Sequence, residues 1–315
     1  LYGGIMKNVK ISSLNENDLL ELKTSKETIS LFIDNSGISK DMIPFLNDVL
    51  KERADFFLNI SSEKETGSSN LSGEDIIKFI PEVRNLTFYA SLKNPISNLN
   101  IFSRLGNLIS LHINGNIDKD IALSPLDSIE TLSSFYLENG FSLKHSVYIE
   151  NRKSFSDIGA SNIRVEHFTK ISQLKKLSIL SSATHVEEIP KRMPNLEEIY
   201  IEKGKGINTL DFLNDLKNLR IIELNSISEL KAMPDLSKLE NLEKVILRNL
   251  RSLEDLESIF NNKKIKILIL ENVRGFNIEK LSTMDSLKYI TVTTDDKLET
   301  NRIKKSLLDK GYLEA

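Results

Sequence analysis

One apolar triplet recurs along this chain at an almost constant step. Towards the C-terminus it reads Leu196-x-x-Ile199-x-Ile201, Leu219-x-x-Ile222-x-Leu224 and Leu242-x-x-Val245-x-Leu247. It continues as Ile265-x-x-Leu268-x-Leu270 and Leu287-x-x-Ile290-x-Val292. The middle residues are 23, 23, 23 and 22 positions apart. A unit this short cannot bury its apolar residues alone, so it stacks on its neighbours and builds a solenoid.

The pattern extends upstream through Leu174-x-x-Leu177-x-Ile179, Leu132-x-x-Phe135-x-Leu137, Leu108-x-x-Leu111-x-Ile113 and Val83-x-x-Leu86-x-Phe88. Weaker forms are Leu58-x-Ile60, Leu31-x-Ile33 and Met6-x-x-Val9-x-Ile11. Each triplet predicts a short strand whose alternate residues point into the core. Successive strands are then parallel neighbours, and each connection must cross over the buried side. Ile38, Met42, Ile43, Leu46, Val49 and Leu50 stand at helical spacing in one such connection. The shorter steps nearer the C-terminus leave room only for a short helix, a 3₁₀ turn or extended chain.

Between Phe135 and Leu177 lie two periods with one triplet missing. A strand is expected near 155, with Phe155 as its anchor, although Val147-Tyr148-Ile149 reads more strongly as a strand by its β-branched and aromatic content. The segment 139–162 is therefore expected to be a degenerate repeat carrying an insertion or hairpin. Residues 63–75 are polar and Gly/Ser-rich, the composition of an exposed loop. Leu298, Ile303, Leu307 and Leu308 fit an amphipathic helix ending at Gly311. The domain reading is thus a solenoid over 1–297 and a C-terminal capping helix over 298–315.

Composition removes several function classes. Forty-two basic residues against 45 acidic ones give a net charge of −3, which supplies no cationic stripe for nucleic acid. No apolar run reaches the ~20 residues of a membrane-spanning helix. Residues 1–5 lack the pattern of a signal peptide and read as a trimmed or added end. There is no cysteine, which removes disulfides, zinc–thiolate sites and thiol nucleophiles. A cytoplasmic location is expected, with a secreted or cell-surface location following if an export signal has been removed. His112, His145, His167 and His185 show no metal-ligand spacing and are expected at the surface or at edges. No motif for a cofactor, a metal or a catalytic constellation is present, so an enzyme is not expected.

These triplets resemble the leucine-rich repeat superfamily, whose pattern is L-x-x-L-x-L-x-x-N/C-x-L. The Asn/Cys column departs from that pattern: Asn116 fits, but Ile227, Leu250 and Val273 occupy it, while Asn139, Asn249 and Asn272 stand one residue earlier. The chain therefore resembles an irregular, bacterial-type array. The resemblance implies an α/β horseshoe solenoid with a parallel β-sheet on the concave face and helices and short turns on the convex face. It further implies a protein-binding scaffold, usually acting through the concave sheet.

Residues beside the middle triplet position point away from the core. They include His112, Tyr136, Tyr200, Glu223, Ile246 and Ile269, with Glu138, Glu198, Glu202, Arg248 and Glu271 in adjacent columns. An apolar and aromatic strip rimmed by charge suits a partner's anchor residues. The acidic bias points to a protein partner with a basic patch. An immunity-like protein that neutralises a toxin or effector, and an exported effector or adhesin, are the alternatives. Oligomeric state is left open.

Overall fold

A computed structural model describes residues 6–63, 65–274 and 276–315. The reading of residues 1–5 as an altered chain end therefore lies outside the described residues. The chain forms two compact units, one ending at Phe155 and one comprising Ser156–Ala315.

The first unit contains strands β1 (Met6–Lys10), β2 (Thr28–Ile33), β3 (Phe56–Ser61), β4 (Asn85–Ala90), β5 (Ser110–Gly115) and β6 (Ser134–Leu137). Each pairs in parallel with the next in sequence. Register stacks Leu31, Leu58, Leu86, Leu111 and Phe135 in one inward layer and Ile33, Ile60, Phe88, Ile113 and Leu137 in the next. All ten are buried, and burying each such side chain contributes about 1.5–3 kcal/mol. The crossovers include α1 (Glu16–Thr24), α2 (Ile43–Glu52), α3 (Gly73–Ile77) and α4 (Leu143–Asn151). Asn15 and Asp18 close a capping box that starts α1. Helix α2 buries Ile43, Leu46, Val49 and Leu50 as their spacing predicts.

Ile38 departs from that helical reading: it lies before α2 in an antiparallel bridge with Leu71. The polar loop also folds back, since Leu71 N–H donates to Ile38 O at 2.9 Å and Asn70 Nδ2 to Ser36 O at 2.9 Å.

The second unit contains β7 (Asp157–Arg164), β8 (Lys176–Thr184), β9 (Glu198–Glu202), β10 (Ile221–Asn225), β11 (Lys244–Arg248), β12 (Ile267–Glu271) and β13 (Tyr289–Thr293), again parallel and in sequence order. Its crossovers are 3₁₀ turns and the one-turn helices α5 (Ile189–Arg192) and α6 (Glu257–Phe260), as the short steps require. Strand, crossover and parallel neighbour recur throughout both units, which is the leucine-rich repeat fold.

The irregular segment resolves into a complete repeat. Phe155-x-x-Ile158-x-Ala160 is the missing triplet; all three residues are buried, and Ile158 and Ala160 pair with Leu177 and Ile179. Alanine at the third position and a step of only 19 residues to Leu177 conceal it. Val147–Ile149, read from composition as a strand, instead lies in α4. Ser142 and His145 form a capping box at the start of that helix, and local β-propensity yields to the cap and to burial of Ile149.

Two of the displaced asparagines, Asn249 and Asn272, have a conformational reason, whereas Asn139 instead donates its side-chain amide to Ile117 O. Lys203, Ser226, Asn249 and Asn272 end successive repeats at φ 61°, 58°, 53° and 54°, the left-handed region that asparagine tolerates best after glycine. Their N–H groups donate to the carbonyls of Asn225, Arg248, Glu271 and Thr293 at 2.8–2.9 Å. Each turn is thereby satisfied by the next repeat, and the following column is free to be apolar: Ile227 and Leu250 are fully buried.

The tail forms α7 (Lys297–Asp309), started by the Asp296 carboxylate and followed by Gly311 at φ 88°. Of its four expected apolar positions, Leu307 is buried and Ile303 half-buried, whereas Leu298 and Leu308 are exposed. After the helix, Leu313 bridges in parallel to Tyr289, so a strand-like segment accompanies the helix at this end.

Candidate functional site

In each unit the sheet has one face against the crossovers and one open face. On the second unit's open face the side chains form a grid. Glu198, Tyr200 and Glu202 of β9 align with Ile221, Glu223 and Asn225 of β10. Lys244, Ile246 and Arg248 of β11 follow, then Ile267, Ile269 and Glu271 of β12. The row of β13 is Tyr289, Thr291 and Thr293.

Strands about 4.8 Å apart make outward side chains cover one another. Glu223 and Ile246 are consequently only 7% and 5% exposed. They support the face from beneath, and little of either side chain reaches its surface. Tyr200 and Ile269 remain half-buried. Around them, Arg248 Nε donates to Glu271 Oε2 at 2.9 Å, and its Nη1 donates to Glu223. One guanidinium between two carboxylates leaves that row with one net negative charge. Glu198 pairs with Lys176 at 3.7 Å. The Tyr200 hydroxyl donates to Glu202 Oε2 at 3.1 Å. Burial, reinforced by the Glu202 carboxylate, pushes the Tyr200 phenol up to about 12, so it remains a neutral donor.

Three residues of this face escape the sequence reading. Ile221, Ile267 and Tyr289 open their strands one position before the middle triplet residue. With a period of two they share the face of Glu223, Ile269 and Thr291, so the parity of the repeat was the available signal. Together Ile246, Ile267, Ile269 and Tyr289 make an apolar patch across three adjacent strands, with Ile221 on the far side of Lys244 in the same row.

The remaining candidates belong to the first unit. His112 and Tyr136 are register partners with ring centroids 5.4 Å apart. Tyr136 is only 8% exposed, so little of its ring reaches the surface of the face. Glu138 accepts a hydrogen bond from Gly115 N–H. Gly115 sits at φ 91°, where a Cβ would meet Ala90 O at 2.1 Å, so Glu138 serves a turn that only glycine can make. Strands β2 to β6 contain no Asp, Glu, Lys or Arg, although charged residues make up 28% of the chain.

One histidine overturns its surface reading. His145 is 2% exposed; its Nδ1 accepts from Ser142 N–H at 3.3 Å and its Nε2 faces Ile121 O at 2.8 Å. Burial lowers its pKa. His185 Nδ1 lies 3.1 Å from a Glu166 carboxylate oxygen. Among the described residues no group of three or more His, Asp or Glu could hold a metal ion, and no helix is long and apolar enough to cross a membrane.

No protein-family profile matches the sequence, and no curated protein matches it. Among solved structures, the TLR13–ssRNA13 complex aligns over 91% of this chain at 17% identity and a TM-score of 0.48. The chain covers 43% of that protein's chain, less than half its length. A leucine-rich repeat protein of Leptospira interrogans aligns over 99% of this chain and 100% of its own, at 15% identity and a TM-score of 0.35.

Proposed function

We propose that the protein is a non-enzymatic scaffold that binds another protein through the open sheet face of its second unit. The observation that carries this reading is the apolar patch of Ile267, Ile269 and Tyr289, packed over the buried Ile246. Core side chains have no reason to face outward on several neighbouring strands, and desolvated anchors ringed by polar groups concentrate binding energy. Glu202 and the Glu223–Arg248–Glu271 group leave the rim with a small negative excess over Lys244, while Glu198 is paired with Lys176. The partner is accordingly a protein whose contact surface carries apolar anchors among Lys or Arg side chains. A standard footprint of ~800 Å² on this side would cover the patch and its rim.

The test is affinity capture by the wild type beside an Ile269→Glu/Tyr200→Ala variant, followed by titration of the captured protein against both in purified form. Direct binding lost in the variant, with unfolding unchanged, is the expected result. Equal affinity of both would overturn the assignment to this face.

A further inference from the structure

The two open faces differ in chemistry. The second unit's is charged and apolar; the first unit's outward positions on β2 to β6 are hydroxyls, amides and aromatic rings without a single formal charge. In a chain this rich in charge, five adjacent strands without a charged outward residue need a reason; Lys10, beside Phe32, lies outside them on β1. Cross-strand pairing alone does not supply one, because opposite charges at paired positions stabilise strands as well.

We propose that the open face of the first unit binds an uncharged oligosaccharide. The accessible part of the face centres on β4 and β5. Thr87 stands beside His112 and Tyr89 beside Asn114, with Ser110 in the same row as Asn85. Tyr89 is 40% exposed, and Thr87, His112, Asn114 and Ser110 are half-buried. Ser, Thr and Asn side chains can both donate and accept hydrogen bonds, the property that sugar hydroxyls share. With no ionised group in these rows, the face offers no particular attraction to a charged ligand. Aromatic faces carry a negative quadrupole and attract the polarised C–H groups on one side of a sugar ring.

The deeper part of the face is already committed to holding its own shape. Asn59 Nδ2 donates to Ser30 Oγ at 2.8 Å and to Leu31 O at 3.3 Å, and Asn85 Nδ2 donates to Ala54 O at 2.9 Å. The accessible rows therefore rest on a rigid base, and a ligand binding there loses little to protein ordering. The carboxylate of Glu138, just after β6, is tied to Gly115 N–H. A neutral, hydroxyl-rich ligand matches the face in charge and in hydrogen-bond character.

The experiment is a glycan array probed with the full chain, followed by titration of the best uncharged oligosaccharide by calorimetry at low and high salt. Wild-type protein should bind an uncharged glycan with an affinity insensitive to salt. Tyr89→Ala should weaken it by about tenfold, and Thr87→Val, which keeps the shape and removes the hydroxyl, should also weaken it. Tyr200→Ala, on the other unit, should leave it unchanged while impairing protein capture. Thermal unfolding of each variant separates lost binding from lost folding. The inference is overturned if no uncharged glycan binds, if binding is confined to anionic glycans and vanishes with salt, or if Tyr89→Ala and Thr87→Val both bind like the wild type. It is equally overturned if a protein, and no glycan, is what the Tyr89→Ala variant fails to bind. Failure of the protein-binding reading would leave these outcomes unaffected.

Discussion

Asn272 donates its side-chain amide to Asn249 Oδ1 at 3.0 Å, and Asn249 in turn donates to Asn225 Oδ1 at 3.1 Å. The ladder joins three successive repeats at the point where each strand turns away. Asn249 also holds the left-handed conformation its turn requires. Asn249→Ala removes both hydrogen bonds and strains the backbone, a loss of about 2 kcal/mol. Asn249→Gly removes the same bonds but accommodates positive φ, and should lose only about 1 kcal/mol. Denaturant unfolding of the two variants checks the order. Equal losses would show that conformation is irrelevant at this turn.

Phe155 anchors the degenerate repeat. Its ring stacks on Phe135 with centroids 5.8 Å apart and a 10° interplanar angle, and the Arg152 guanidinium lies 4.8 Å from it. Phe155→Ala should destabilise the protein by about 3–5 kcal/mol. Phe155→Leu keeps most of the volume and should lose less than about 2 kcal/mol. Thermal or urea unfolding of both reads the difference, and a Phe155→Ala protein as stable as the wild type would remove the residue from the core.

The strands at 199, 222, 245, 268 and 290 were legible because Leu, Ile and Val occupy every inward position at a regular step. β7 was not, because Ala160 weakens its triplet and the following step is short. Strand propensity pointed to Val147–Ile149, while the decisive signal was Ser142 three residues before His145, a cap that histidine is not expected to complete. The open face was legible as a set of columns. Its exposure was not, because Tyr136, Glu223 and Ile246 are covered by side chains from adjacent repeats, and that depends on the size of neighbours some 23 residues away. A second asparagine signal stood unused: Asn195 and Asn241, each just before a triplet, donate to the carbonyls of Ser172 and Lys217 in the preceding repeat.

Arg248 and Glu223 should be strongly coupled. The Glu223 side chain is 9% exposed and its ion pair to Arg248 lies across adjacent strands. Arg248→Met leaves that carboxylate buried without its cation, and should lose about 2–4 kcal/mol, less than a fully buried pair because Arg248 itself is partly solvated. Glu223→Gln should lose less, since an amide tolerates burial better than an ion. In the double variant much of the Arg248→Met loss should be recovered, giving a coupling of about 1–2 kcal/mol in a double-mutant cycle. Additive losses would mean that the pair contributes nothing beyond its separate members.

His145 makes the stability of α4 dependent on pH. Its Nδ1 accepts Ser142 N–H, so the ring proton sits on Nε2 and donates to Ile121 O at 2.8 Å. A second proton would have to occupy Nδ1, facing a donor. Burial lowers the pKa, with Lys144 acting in the same sense, while the Ile121 carbonyl and the Asp120 charge oppose the shift. The unfolded chain therefore takes up a proton at a higher pH than the folded one. This contribution is complete above the ordinary histidine value of about 6.5. It is lost progressively as pH falls from there towards the lower folded value. Gln at the third helical position can close a capping box without titrating. Wild-type protein should thus lose more stability between about pH 7 and pH 5 than His145→Gln, with faster amide exchange in Leu143–Asn151 at the lower pH. Parallel stability profiles for the two proteins would show that His145 takes up its proton equally in the folded and unfolded states.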